Sequence, residues 1–331
     1  MALAPYYCGP ASDHFDGAHF HLPGQQVAVQ PKGSLLTFAK LRFSRTRAKW
    51  PSQFPSPFAG AKPVERVAGL RITLVGHASF LVQSAGLNVL VDPVWSVRAS
   101  PLRVAGPKRV NPPGVAFEDL PPIDAILLTH NHYDHMDMAT LGRLWRRHRA
   151  PVVTPLGNDA ILRVGHPDMA VTVMDWHDRH AISAEFAVTL VPAQHWSARR
   201  LNDRRMALWG SFLLHTPAGV VLHIGDTGFG DGGTFRDIRA RYGAPDFAVL
   251  PIGAYEPRWF MKAAHMNPTD AVQAMGLLGA RQALGHHWGT FQLTDEAVDA
   301  PARDLVAART AAGVAETDFR AMRPGEAWEP G

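Results

Sequence analysis

Four times in this chain an apolar run of strand length breaks off into side chains that bind metal ions. Ile126-Leu127-Leu128-Thr129 ends in His130-Asn131-His132-Tyr133-Asp134-His135, and the run closing at Val191 leads through Pro192-Ala193-Gln194 to His195. Leu222-His223-Ile224-Gly225 leads to Asp226, and Ala283-Leu284-Gly285 leads to the pair His286-His287. A strand end is a fixed platform and the turn beyond it fans the side chains out, so the four segments read as parts of one constellation. Imidazole and carboxylate are borderline-to-hard ligands that suit zinc, with iron and manganese as competitors. His130 and His132, two positions apart, can grip one ion from the same side. Asp134 and His135 open the next turn and can reach a neighbouring ion.

With 331 residues the chain can bury a large core, in one big domain or two ordinary ones. The formal charge of +4 comes mostly through arginine, with clusters at Arg143, Arg146, Arg147 and Arg149 and at Arg199, Arg200, Arg204 and Arg205. Each cluster reads first as a solvated helix face, and second as a surface for anionic lipid head groups or phosphates. A single cysteine, Cys8, rules out an intrachain disulfide. No apolar run approaches the ~20 residues of a spanning helix, and the first eight residues lack the basic and apolar regions of a signal peptide. The expected location is cytoplasmic.

Residues 1–65, where Pro51, Pro55, Pro57 and Pro63 punctuate Trp50, Phe54 and Phe58, read as an irregular N-terminal extension packed on the body, with one helix around 35–43. Residues 66–331 read as that body. Apolar runs at 72–75, 80–83 and 88–91 predict a meander of strands, and those at 211–215, 220–224 and 247–250 a second meander. Further strands are expected at 125–128, 152–154, 171–174 and 186–191. Helical spacing marks 138–148, 268–278 with Thr269 as its cap, and 294–312. Two strand-rich halves, each ending in helices, predict an α/β chain with two sheets face to face and helices outside, an αββα four-layer sandwich.

The H-x-H-x-D-H run followed by His195, Asp226 and His287 resembles the metallo-β-lactamase superfamily. Several strings resemble more narrowly the N-acyl-phosphatidylethanolamine phospholipase D group and its bacterial relatives. These are Pro192-Ala193-Gln194-His195-Trp196, Gly225-Asp226-Thr227-Gly228, the stretch from Leu250 through Tyr255-Glu256-Pro257-Arg258-Trp259-Phe260-Met261, and His287-Trp288-Gly289-Thr290-Phe291. Val75-Gly76-His77-Ala78-Ser79-Phe80-Leu81-Val82 and Asp13-His14-Phe15-Asp16-Gly17 are also similar. The likeness runs over roughly residues 10–300.

That resemblance implies a metallo-β-lactamase-type sandwich with two zinc ions per chain, iron or manganese being the competitors. It implies His130, His132 and His195 on one ion, Asp134, His135 and His287 on the other, and Asp226 bridging both. The family's ligand stands immediately before the tryptophan, which selects His287 over His286. His265, followed by Asn267-Pro268, matches a histidine close to the substrate, and Tyr255 heads the string that marks the group, so both are expected to touch substrate. Asp92, at the end of the 89–91 strand, is placed to orient a ligand histidine, since metal-bound imidazoles usually donate their other N–H. His77 either shares that task or satisfies backbone groups.

The activity implied is that of a phosphodiesterase of phospholipase D type acting on N-acyl-phosphatidylethanolamine or a related phospholipid. Two cations ~3.5–4 Å apart generate a bridging hydroxide that attacks phosphorus in line, with Asp134 accepting a hydrogen bond from the nucleophile and His265 or water protonating the leaving alkoxide. A lactonase or small-phosphoester hydrolase would use the same ligands. A nucleic-acid partner is not expected, because no basic-aromatic module stands apart from the body. The expected partners are a phospholipid or phosphoester substrate and a second copy in a homodimer; Trp50, Phe54, Phe58 and Trp259-Phe260-Met261 read first as packing in the core and second as a peripheral contact with a membrane interface beside the arginines.

Overall fold

The computed structural model describes residues 6–23 and 47–330. The helix expected at 35–43 lies outside the described residues. Among the described residues the strands form two sheets of seven. The first contains β1 (Leu70–Gly76), β2 (Ser79–Ser84), β3 (Leu87–Val91), β4 (Ala125–Leu127), β5 (Val152–Pro155) and β6 (Val171–Met174), with β14 (Ala327–Trp328) beside β1. The second runs β13-β12-β11-β10-β9-β8-β7, from β7 (Arg179–Ala181), β8 (Ala187–Val191), β9 (Ser211–Thr216), β10 (Gly219–His223), β11 (Phe247–Pro251), β12 (Gln282–His286) and β13 (Phe319–Ala321).

The pattern of apolar residues explains the layering. Strands buried on both faces read as continuous apolar runs, and alternate residues then serve different cores. Val89 and Val91 of β3 and Leu127 of β4 meet Val221 of β10 and Phe247 and Val249 of β11 in the core between the sheets. Leu90 and Ile126 turn the other way, onto Leu141 and Leu144 of helix α1 (Met138–His148). Leu222, Ala248 and Leu250 likewise leave the second sheet for Phe235 and Ile238 of α3 (Gly233–Tyr242), Ala271 and Met275 of α5 (Pro268–Leu278), and Leu305 of α6 (Ala300–Ala312). Helices α2 (Asn158–Gly165) and α4 (Arg258–Met261) complete the set. The result is the αββα sandwich that the sequence predicts.

Three local expectations are corrected. The second meander is not one: β9 and β10 pair antiparallel, but β10, β11, β12 and β13 run parallel. A parallel pair needs a crossover that no tight turn provides, and α3 supplies it between β10 and β11. The last helix begins at Ala300 rather than 294, with Pro301 in its first turn, where its missing N–H costs nothing. The cap of α5 is Asn267 rather than Thr269. Its side chain accepts from the Asp270 N–H while the Asp270 carboxylate takes the Asn267 N–H, a reciprocal box with Pro268 just inside.

Candidate metal centre

The four ligand-bearing segments follow the carboxyl ends of β4, β8, β10 and β12, and the structure brings all four tips together. Gly225 makes one approach possible, since a Cβ there would stand 2.3 Å from the Thr129 hydroxyl oxygen. The tip of β10 therefore closes against the tip of β4, and Asp226 meets His130. Two groups of four donors result, and a third set, Asp226, His265 and His287, overlaps them.

His130, His132, His195 and Asp226 each offer an atom within 4.8 Å of the others. His130 Nε2 lies 2.9 Å and His195 Nε2 3.2 Å from His132 Nδ1. The second nitrogens fix the tautomers. His195 Nδ1 stands 3.0 Å from the Ala264 carbonyl and so carries the proton. The Thr129 hydroxyl donates to Asp92 and can only accept from His130 Nδ1, 3.0 Å away. Both Nε2 lone pairs consequently face His132. A single proton could serve one of those two contacts; a cation would serve all three nitrogens.

The second group is His77, Asp134, His135 and His287. His135 Nδ1 donates to Asp92 Oδ2 at 2.7 Å, and Asp92 also accepts the Thr129 N–H at 2.8 Å and hydroxyl at 2.6 Å. His135 Nε2 is left bare, 3.6 Å from Asp134 Oδ2 and 3.3 Å from Asp226 Oδ2. His287 Nε2 stands 3.3 Å from Asp134 Oδ2 and 3.1 Å from Asp226 Oδ1. Asp226 Oδ2 also lies 3.8 Å from His130 Nε2 and 3.6 Å from His195 Nε2, so one carboxylate faces both groups. His77 Nε2 reaches Asp134 Oδ2 at 3.0 Å. The bare buried ring nitrogens and ionised carboxylates make a donor set that fits divalent cations.

Electrostatics agree with that fit. Burial, with neighbouring imidazoles adding, pulls His130 well below the usual histidine range; burial also takes His195 well down, His132 to about 4 and His77 to about 3. Burial acts on His135 and His287 too, but the carboxylates of Asp226 and Asp134 outweigh it, holding His135 well above its ordinary value and His287 at about 9. Burial would raise Asp134 and Asp226, yet the surrounding imidazoles keep both well below the carboxylate range.

The backbone bends to aim these groups. His77, Asp92, Ala254 and His287 take φ of 56°, 44°, 61° and 66°, a left-handed conformation uncommon outside glycine. His265 comes to the cluster, its ring 5.2 Å from that of His195 and 5.6 Å from that of His287, with Nδ1 unpartnered. His286 points away and donates through Nε2 to the Ile224 carbonyl. Tyr255 is buried and its hydroxyl donates to Asp304 of α6, which holds two elements together. Thr129, which no motif singles out, proves central through its contacts with Asp92 and His130.

The profile of the beta-lactamase superfamily domain matches residues 87–288. The chain belongs to the metallo-β-lactamase superfamily. It is 37% identical, over 79% of its length and 76% of the relative's, to a protein of Caenorhabditis elegans named N-acyl-phosphatidylethanolamine-hydrolyzing phospholipase D 1. It is 34% identical to the mitochondrial N-acyl-phosphatidylethanolamine-hydrolyzing phospholipase D of Saccharomyces cerevisiae, over 68% of this chain and 48% of that one. A metallo hydrolase of the archaeon Ignicoccus hospitalis shares the fold at a TM-score of 0.58 and 22% identity, covering 79% of this chain and 99% of the other. Membership in this superfamily, with these relatives and this donor cluster, makes the protein a metal-dependent hydrolase. Among the described residues no helix is long and apolar enough to cross a membrane.

Proposed function

We propose that this metallo-β-lactamase-fold protein is a dinuclear zinc phosphodiesterase of phospholipase D type, hydrolysing N-acyl-phosphatidylethanolamine or a related phospholipid. The observation that carries the chemistry is Asp226, whose carboxylate faces two separate histidine groups at 3.1–3.8 Å. The phospholipid is supported by the worm and yeast relatives and by the Tyr255–Met261 string.

In this reading His130, His132 and His195 hold one ion, Asp134, His135 and His287 the other, and Asp226 both. Cations so held supply Lewis acidity toward a phosphoryl oxygen and acidify water. The chain's own side chains set the rest. Asp92 keeps the proton of His135 on Nδ1, and the Ala264 carbonyl does the same for His195. Asp134 stays ionised and accepts a hydrogen bond from His77, which fixes the oxygen it turns to the reacting centre. His265 is drawn down to about 4, chiefly by burial, and is therefore neutral at pH 7. It hydrogen-bonds a substrate oxygen, and the leaving alkoxide takes its proton from water. Trp259 and Phe260 of α4, exposed at 49% and 40%, meet the bilayer interface just ahead of His265.

The test uses purified protein loaded with zinc and vesicles containing N-acyl-phosphatidylethanolamine. N-acylethanolamine and phosphatidic acid should appear, and in ¹⁸O-water the label should enter the phosphatidic acid. Turnover of lactones or small phosphoesters with none of phospholipids would refute the substrate. Elemental analysis giving one equivalent of metal or fewer would refute the dinuclear centre.

A further inference from the structure

The run from His130 to His135 has no helix or strand of its own; it is a turn between β4 and α1. Its ends are held from outside by the loop that follows His195. Arg199 Nη1 donates to the carbonyls of Asn131 and Met136, each at 2.8 Å, and these two carbonyls bracket His132, Asp134 and His135. The guanidinium lies 4.0 Å over the Tyr133 ring, and the Tyr133 hydroxyl returns a hydrogen bond to the Arg199 carbonyl at 2.9 Å. Behind it, buried Asp203 closes the loop, accepting the N–H groups of Arg199 and Arg200 at 3.0 and 2.8 Å and the Tyr6 hydroxyl at 2.8 Å. A charged group set largely in the interior against carbonyls is costly to desolvate, and here it ties the two ends of one turn together.

We propose that Arg199 is a positioning residue for the metal centre: by holding the Asn131 and Met136 carbonyls it keeps His132, Asp134 and His135 aimed at the ions. The proposal rests on the metal reading above. One nitrogen makes both bonds, so a lysine ammonium at this position can reproduce them in part, whereas methionine fills the space and makes neither.

Arg199→Met and Arg199→Lys are compared with wild type in the full-length protein. Zinc affinity is measured by competition with a chromophoric chelator, the cobalt-substituted visible spectrum reports ligand geometry, and thermal denaturation of metal-free protein reports the fold. Arg199→Met is expected to lose about 10–100-fold in affinity, the range typical of removing a group that orients a ligand, with a shifted cobalt spectrum. Arg199→Lys should recover much of both. Wild-type affinity and spectrum in Arg199→Met overturn the proposal, as does equal loss in the two variants, which would mean packing alone. If Arg199→Met does not fold, Tyr133→Phe carries the test: a measurable fall in affinity supports the clamp and unchanged affinity overturns it. Wild-type protein that binds no metal would instead sink the metal reading itself.

Discussion

Replacing Asp92 by asparagine should weaken metal binding without touching any of the proposed ligands. Asp92 is fully buried and accepts three hydrogen bonds, from the Thr129 N–H, the Thr129 hydroxyl and His135 Nδ1. Asparagine offers one oxygen and one NH₂ in the same volume. The Thr129 N–H is fixed in the backbone and claims the oxygen, so the NH₂ faces His135 Nδ1. Two donors cannot face each other at 2.7 Å. In the neutral form that binds metal, the imidazole must then carry its proton on Nε2, where a lone pair is needed. A hydrogen bond to a charged group contributes about 1.5–3 kcal/mol, which at 1.4 kcal/mol per decade is roughly one to two decades of affinity. The same range, ~10–100-fold, is usual for losing an orienting carboxylate. Chelator competition on Asp92→Asn measures it, and cobalt spectra show whether the coordination changes. Affinity within about threefold of wild type, less than the smallest of these terms, would refute the tautomer argument.

His287→Ala should lose more metal affinity than the ~100-fold ceiling for an outer partner. His286→Gln should cost about 1 kcal/mol of stability through the Ile224 bond and leave kcat/KM within a few-fold; chelator competition and steady-state kinetics separate the two. Tyr255→Phe should lower stability by about 1 kcal/mol and leave KM unchanged, and a raised KM in assays would place Tyr255 at the substrate site. For pH, His287 in metal-free protein is held at about 9 against an ordinary 6.5. Its stabilising proton is fully present below 6.5 and lost as pH rises through 9, so the metal-free melting temperature should fall across that window. Because His135 is raised as well, loading the centre at pH 7.5 should release about two protons, measurable by calorimetry in buffers of different ionisation enthalpy.

What the sequence made legible follows from what each element asks of its residues. Doubly buried strands such as β3, β4 and β11 announce themselves as apolar runs, and ligands at their tips need only be read in order. Helices α2 and α3 did not show, because each buries few residues, Asn158 and Leu162 in one and Phe235 and Ile238 in the other. Without α3 the apolar runs alone predict β11 antiparallel to β10, whereas the crossover helix makes the pair parallel. The direction a side chain takes within a motif was also hidden. Tyr255 sits in the string that most resembles the phospholipase group, yet Asp304, far along the chain, decides where its hydroxyl goes. Thr129 acts through its hydroxyl on Asp92 and His130, and Arg199 through two backbone carbonyls, and nothing in residue type or spacing marks such contacts in advance.

The left-handed backbone at His77, Asp92, Ala254 and His287 bears on where this enzyme tolerates substitution. At His77, Asp92 and His287 the side chain is the reason for the contortion, so glycine would relax the chain and remove the function. Ala254 alone brings no donor atom. Left-handed geometry costs a non-glycine residue about 1–2 kcal/mol, while glycine gives up about 0.5–1 kcal/mol through its freer unfolded chain. Ala254 is also buried, so removing its methyl costs about 0.8 kcal/mol more, and Ala254→Gly should leave both melting temperature and activity nearly unchanged, a tolerant joint in an otherwise committed ring.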